Sequence, residues 1–251
     1  MSRFGVDIGG TTVKIGIVSD AGEILEKQIF DTRNERTISE IVKEIALNII
    51  RMAKGDLSYI GVGAPSFFNF PNIDRSSSWH KELARYFPNI EMSVHNDAEC
   101  ACWAEYKLGA GIGYDNMIML TLGTGVGGGV IIDGKLLDKP CELGHIIVCN
   151  DGKQCTCGRK GCLEAYASAN AYNNAKNKDD FNKYMSQSIV SLTNIFETEA
   201  FIIGGGLANI GESLLEPIRE LVKENFKNRS NAPQILLAEV ADSGIIGAIM
   251  L

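Results

Sequence analysis

The feature that most constrains this chain is a pattern that appears twice. Phe4, Val6 and Ile8 alternate with other residues, Gly9-Gly10-Thr11-Thr12 interrupts them, and Val13, Ile15 and Ile17 resume the alternation. A period of two marks a strand with one face buried, so the segment predicts a strand, a glycine turn and a second strand. Asp20-Ala21-Gly22 is a turn, and Ile24-Leu25 through Ile29-Phe30 supplies a third strand. The same order returns at Ile118–Leu122. There Gly123-Thr124-Gly125 is the glycine turn, Gly128–Ile132 the second strand, Asp133-Gly134 the hairpin turn and Lys135-Leu136-Leu137 the start of the third strand. Gly9 aligns with Gly123, 114 positions on, close to half of the 251 residues. A unit repeated once at that spacing predicts duplicated domains facing each other; two unrelated glycine hairpins are the alternative. The glycine-rich stretch Gly109-Ala110-Gly111-Ile112-Gly113 marks the expected boundary. It gives domains over 1–112 and 113–251, with the segment from about 240 to 251 a candidate to pack back on the first.

Between and after the repeated units the pattern changes to helical spacing. Thr37 and Glu40 have capping-box spacing, Ile38, Ile41, Val42, Ile45 and Ile49 fall on one face, and Gly55 is a stop. Tyr59–Gly63 reads as a buried strand leading into Ala64-Pro65-Ser66, and Ala98–Leu108 as a second helix. Helical patterns cover Glu164–Asn177 and Phe181–Phe196, a strand lies at Phe201–Ile203, and the chain closes with a helix from about Ser213 to Phe226 and the apolar segment Gly244–Leu251. Hydrophobic residues at 45% and charged residues at 22% describe a globular chain with a sizeable core and exclude a disordered or fibrous one. With 24 basic and 31 acidic residues the net charge is −7, so the basic footprint of nucleic-acid binding is missing. No apolar run reaches the ~18 residues of a membrane span. Patterned sequence begins at Met1-Ser2-Arg3-Phe4, so no signal peptide is expected and the cytoplasm is the expected compartment.

Three glycine loops each follow an apolar strand: Asp7-Ile8-Gly9-Gly10-Thr11-Thr12, Leu122-Gly123-Thr124-Gly125 and Ile203-Gly204-Gly205-Gly206. Glycine lets backbone N–H groups turn toward an anion and threonine hydroxyls add donors, so such loops suit a polyphosphate, although any one of them could be only a tight turn. Asp7 could hold a magnesium ion directly or through water. Lys14 could neutralise phosphate charge or be a solvated strand residue. Gly123, Gly125 and Gly128 match the dinucleotide fingerprint, but a hairpin follows where that motif needs a helix, and no Walker-type P-loop sequence exists.

His145, Cys155, Cys157 and Cys162 form H-x9-C-x-C-x4-C, with Gly158 and Gly161 among the cysteines. One imidazole and three thiolates make a closed structural zinc set. Cys100, Cys102, Cys141 and Cys149 read as small apolar packing residues. Asn96-Asp97 opens the second helix; Asp97 is either its cap or a general base on a hydroxyl nucleophile. Glu142 and Glu164 bracket the cysteine segment, where a metal would fix both carboxylates to accept hydrogen bonds from sugar hydroxyls; solvation at the surface is the other reading.

Together these segments closely resemble the ROK family of sugar kinases and sugar-responsive repressors, among the actin-like phosphotransferases. The matching segments are Asp7–Thr11, Asn96-Asp97-Ala98, Gly123–Gly129, Glu142–His145, Cys155–Glu164 and Ile203–Gly206, in family order. The resemblance implies two duplicated ribonuclease-H-like α/β domains with an active-site cleft between them. It implies an ATP- and magnesium-dependent kinase acting on a hexose or N-acetylhexosamine, usually at the C6 hydroxyl, glucokinase-like or a kinase of N-acetylmannosamine or N-acetylglucosamine. Asp97 matches the family's base; Asn96, Glu142, His145 and Glu164 match sugar-contacting positions, with Asn72 as a further one in a poorly aligning region. His145 and the three cysteines match its zinc site. A small-molecule sugar is then the expected partner, a homodimer or homotetramer the expected assembly, and neither nucleic acid nor membrane is expected. Two other readings stand beside this one. The repressors carry a helix-turn-helix ahead of the first glycine loop, where only six residues precede Asp7 here; a catalytically silent sugar-binding protein would keep the fold. Ser66 after Pro65, where the family often has glycine, and a chain shorter than most members between Ser66 and Trp79 and around Asn173 to Ser188, put the sugar's identity in doubt but not the reaction class.

Overall fold

Ser2–Ile8 (β1), Thr12–Val18 (β2) and Ile24–Asp31 (β3) form an antiparallel meander. After the helix Ile38–Ala53 (α1), Leu57–Ala64 (β4) pairs in parallel with β1; after Arg75–Ala84 (α2), Glu91–Asn96 (β5) pairs in parallel with β4. The sheet order is β3-β2-β1-β4-β5. Asp97–Leu108 (α3) then leads to a second sheet of the same design. Met117–Leu122 (β6), Val126–Ile132 (β7) and Lys135–Leu136 (β8) form its meander. Glu164–Ala167 (α4), Ala169–Asn174 (α5) and Asp179–Phe196 (α6) precede Ala200–Gly204 (β9), and Glu212–Asn225 (α7) precedes Gln234–Leu237 (β10). Read from its third strand the order is β8-β7-β6-β9-β10, so β6 stands where β1 stands in the first sheet. Ile8 and Leu122, 114 positions apart, end the two central strands. The computed structural model describes residues 2–32, 36–65, 75–137, 139, 141–227 and 232–251, with the backbone alone at 75–77.

Contacts divide the chain into two compact units, one of residues up to Ala104 with Ala241–Leu251, the other Glu105–Val240. The division falls inside α3, ahead of the expected boundary at 112. Glu105 explains the position: it is fully buried and its carboxylate accepts from the backbone N–H groups of Ala110, Glu239 and Val240 at 3.0, 2.9 and 2.7 Å. A buried carboxylate needs such donors, and here they tie the end of α3 and the glycine-rich turn to the segment after β10.

Strand alternation arranges the first unit. Phe4, Val6 and Ile8 point to one face of β1 and are buried with Ile45 and Ile49 of α1 and with Trp79 and Leu83 of α2. Arg3, Gly5 and Asp7 point to the other face, where the helix Ser243–Met250 (α8) runs along the strand. Gly244 lies against the Asp7 carboxylate, Ile245 against Gly5, and the Ile249 carbonyl accepts from Arg3 at 2.7 Å. The helix lies directly on backbone: a Cβ at Gly5 would sit 2.2 Å from the Ile245 oxygen, and one at Gly61, its neighbour in β4, 1.8 Å from the Ala248 oxygen. The capping box is formed, with Thr37 Oγ1 accepting from the Glu40 N–H and Glu40 accepting from the Thr37 N–H at 2.8 Å.

Two departures from the sequence reading concern helices. The pattern over Glu164–Asn177 is not one helix but two, broken at Ser168, which is extended and caps α5 by accepting from the Ala171 N–H. The break turns the Ala169 N–H to the Gly123 carbonyl at 2.8 Å, so a tertiary bond replaces a helical one. The helix α2 and the strand β10 are additions to the sequence reading; β10 has four residues, too few for a period to show.

Gly61→Ala should test the docking of α8. The added methyl meets a helix carbonyl that cannot rotate away, so the urea midpoint of unfolding followed by circular dichroism should fall by the equivalent of ~1–3 kcal/mol. An unchanged midpoint would show that α8 is free to shift.

Candidate active site

The first unit gathers acidic groups where β1, β4 and β5 end. Asp7 faces Lys14 across the β1–β2 ladder, and its carboxylate rests on Gly244 at the start of α8, where a Cβ would be 2.6 Å from Asp7 Cγ. Lys14 Nζ lies 3.1 Å from Asp242 Oδ1, and Lys27 Nζ 2.5 Å from Asp242 Oδ2. Asp242 and Gly244 were not singled out from the sequence, since 228 positions separate Asp242 from Lys14 and no local pattern joins them. The loop after Asp7 is held by Gly9 N–H donating to the Thr12 carbonyl at 2.8 Å and Thr32 Oγ1 donating to the Gly9 carbonyl at 2.9 Å. Gly10 and Thr11 are exposed at its tip.

Removal from water pushes the Asp7 carboxyl up to about 6; Lys14 opposes the shift, and the negative charges of Asp97 and Asp242 add to it. Asp97 is therefore close enough to feel Asp7. The cap of α3 is taken by Asn96, whose Oδ1 accepts from the N–H groups of Ala98 and Glu99 at 2.9 and 3.1 Å, while Asp97 Oδ1 accepts from Ala98 at 2.9 Å. Because Asn96 satisfies the helix end, Asp97 is not required as the cap. Asn72 lies outside the described residues.

In the second unit the other two glycine loops meet. Gly205 has φ of +79° and packs on the end of β6, where a Cβ would be 2.6 Å from the Leu122 nitrogen and oxygen, so only glycine fits. Gly123 N–H donates to the Gly125 carbonyl at 3.0 Å, closing the turn that carries Thr124; Gly204 ends β9 and Gly206 begins a short 3₁₀ turn, Gly206–Ile210.

Next to this turn stands Glu164, the first residue of α4. A Cβ on Gly125 would be 2.5 Å from Glu164 Oε2, and that oxygen accepts from the Val126 N–H at 3.1 Å. His145 Nε2 is 4.0 Å from the same oxygen. Glu142 precedes the 3₁₀ turn Leu143–His145, is exposed, and its carbonyl accepts from the His145 N–H at 2.9 Å. Gly144 sets that turn on β7, since a Cβ would be 2.0 Å from the Val126 carbonyl oxygen.

His145 and the three cysteines converge, with one donor atom from each inside 4.8 Å of all the others. His145 Nδ1 is 3.5 Å from Cys155 Sγ, and Cys157 Sγ is 3.6 Å from Cys162 Sγ. A tetrahedral zinc ion with Zn–S bonds of about 2.3 Å needs sulfurs roughly 3.7 Å apart, so the donor set fits. Burial pulls the His145 imidazole below its usual range, Glu164 opposing, which favours the neutral ring that binds metal. The loop between the cysteines is closed by Cys155 N–H donating to the Arg159 carbonyl at 2.8 Å, with Gly158 and Gly161 at positive φ.

The sequence model of the ROK family matches residues 3–180 and 173–251, and the chain belongs to the ROK family. Glucokinase of Thermotoga maritima is 33% identical, with 99% of this chain and 96% of that protein covered. That alignment runs over 306 positions for a chain of 251 residues, so the relative carries residues with no counterpart here. N-acetylmannosamine kinase of Escherichia coli O6:H1 is 29% identical, covering 100% of this chain and 98% of its own. Among solved structures, a ROK family glucokinase from Streptomyces griseus in complex with glucose and AMPPNP superposes with a TM-score of 0.84 at 30% identity, over 100% of this chain and 98% of that one. The two-unit α/β architecture is thus that of the actin-like sugar kinases. No described helix is long and apolar enough to cross a membrane.

Asp7 carries a stability cost that a substitution should reveal. Its folded pKa near 6 exceeds the ordinary value of 3.8, so between these pH values the folded state binds more protons than the unfolded one. Stability then falls as pH rises from 4 to 6 and stays reduced above. Asp7→Asn should raise stability at pH 7.5 by roughly 1–3 kcal/mol, with the gain shrinking below pH 6 and vanishing near 4. Thermal melts of both proteins across that range check the sign; a variant less stable at pH 7.5 would contradict it.

Proposed function

We propose that this chain transfers the γ-phosphoryl group of ATP to the C6 hydroxyl of a hexose, with glucose preferred and N-acetylmannosamine or N-acetylglucosamine as the alternatives. The chain is an ATP-dependent sugar kinase of its family, supported by the glucokinase relatives and by the structure with glucose and AMPPNP that it resembles. The observation that carries the mechanism is Asp97 beside Asp7 at the strand ends, with the capping duty met by Asn96. A sugar hydroxyl is a poor nucleophile at neutral pH; Asp97 accepts its proton as the oxygen bonds to the γ-phosphorus and the bond to ADP breaks. Asn96, Glu142, His145 and Glu164 hold the sugar's other hydroxyls, with Asn72 as a further contact.

The glycine loops at Gly9–Thr12, Gly123–Gly125 and Gly204–Gly206 offer N–H and hydroxyl donors to the nucleotide's phosphates. Asp7 would hold the magnesium ion that accompanies ATP, which would screen phosphate charge; its buried, raised-pKa carboxyl suits a cation that restores its ionised form. Lys14, bound to Asp242, borders the same place. A structural zinc would be held by His145 Nδ1, Cys155, Cys157 and Cys162, leaving His145 Nε2 to face Glu164 and the sugar. We place the enzyme in the cytoplasm as a homodimer or homotetramer.

Incubating the protein with ATP, magnesium and a panel of sugars, and reading ADP release, tests the reaction; glucose should give the highest turnover. Faster turnover of N-acetylmannosamine would move the substrate to the second reading. No ADP release from any sugar that nevertheless binds would leave a silent sugar-binding protein. Asp97→Asn should keep its melting temperature and its sugar and ATP binding but lose at least ~10²-fold in kcat; near-normal turnover would overturn the mechanism. Cys157→Ser should lose zinc by elemental analysis and loosen 151–164, raising the KM for sugar. Zinc-free wild type of full activity would refute the metal's role.

A further inference from the structure

The structure points to a positioning residue inside the cysteine loop that neither the family's sugar contacts nor its metal ligands include. We propose that Thr156 holds the carboxylate of Glu164 in the orientation that receives the sugar, an inference that rests on the sugar-recognition reading of Glu164.

Thr156 lies between Cys155 and Cys157, two of the four converging donors, in a loop closed by the Cys155 N–H on the Arg159 carbonyl at 2.8 Å. Its Oγ1 donates to Glu164 Oε1 at 2.6 Å, the shortest hydrogen bond that Glu164 makes. The other oxygen, Oε2, accepts from the Val126 N–H at 3.1 Å and rests on the Cα of Gly125. The carboxylate is thereby held at both ends: one oxygen on the glycine turn, the other on the cysteine loop. Cys155 Sγ adds a longer contact to Oε1 at 3.6 Å, and because an ionised carboxylate has about four acceptor positions, capacity for a sugar hydroxyl remains. Without the hydroxyl, Oε1 keeps only the longer Cys155 Sγ contact, and the group is freer to turn about its terminal torsion, which is a soft, broad one. The Val126 N–H and Gly125 contacts on Oε2 are then left to oppose that turn without the short bond on the other oxygen. A site that reads hydroxyls by direction then recognises its sugar less well. The side chain needed is a hydroxyl, so serine can serve and valine, of the same shape, cannot.

The test compares Thr156→Val, Thr156→Ser and Glu164→Gln with the wild type. The readouts are KM for glucose and for ATP, kcat, the glucose Kd by calorimetry without ATP, zinc content and melting temperature. Thr156→Val should raise the glucose Kd and KM about ten-fold, as loss of a hydrogen bond to a charged group does. Its KM for ATP should stay within about two-fold, with zinc content and melting temperature unchanged; Thr156→Ser should remain within about two-fold of wild type throughout. Glu164→Gln raising the glucose Kd while Thr156→Val leaves it unchanged would overturn the proposal and spare the reading beneath it. A Glu164→Gln protein with wild-type glucose affinity would overturn that reading itself. Loss of zinc in Thr156→Val, or an equal rise in both KM values, would show that Thr156 only shapes the loop and would also overturn the proposal.

Discussion

A helix can lay its carbonyls against a sheet only where the sheet lacks side chains, and that constraint organises the first unit. Gly5 and Gly61 stand side by side on neighbouring strands, and α8 settles on them at a distance no Cβ would permit. Everything at the strand ends follows from that depth. Gly244 reaches the Asp7 carboxylate, and Asp242, just ahead of the helix, reaches Lys14 and Lys27. An alanine at Gly5 would hold the helix off and lessen the burial of Asp7. The raised pKa is therefore first a consequence of burial under backbone packing, with Asp97 and Asp242 adding to it and Lys14 opposing.

The second unit solves a related problem with a different contact. Gly125 is glycine because a carboxylate lies on it, and that carboxylate is bonded to the next residue's N–H and to a threonine in the cysteine loop. The glycine turn and the cysteine loop so share one side chain between them. The Ala169 N–H, freed by the break at Ser168, binds the Gly123 carbonyl and fixes the same turn from behind. Glu164 thus bridges the two loops directly, one carboxylate oxygen on each.

Much of this was legible in the sequence because it is periodic. Alternation at Phe4, Val6 and Ile8 and again from Ile118 marked both meanders, and Thr37 with Glu40 marked the start of α1. The donor spacing of His145 and the cysteines was legible because its ligands lie close along the chain. Contacts made at long range were not: 240–251 was a candidate to pack back on the first domain, but its seat on Gly5 and Gly61, like Asp242 with Lys14 and Glu105 with 239–240, joins residues that carry no shared local pattern. The single-helix reading of Glu164–Asn177 failed for the same reason, since the partner that breaks it at Ser168 is Gly123, far upstream. Asp97 was ambiguous because an aspartate at a helix start has a local use; only the structure shows Asn96 in that use.

The division of the chain also sets an order of events during synthesis. Residues 105–240 are continuous along the chain, whereas the first unit stays without α8 until 241–251 are made. At ~5–20 residues per second that interval is roughly seven to thirty seconds. Through it the helix that covers Gly5 and Gly61 and lies against Asp7 is missing. The unit whose residues come first along the sequence is thus the one that waits for a later segment, and the burial of Asp7 depends on a helix more than two hundred positions away.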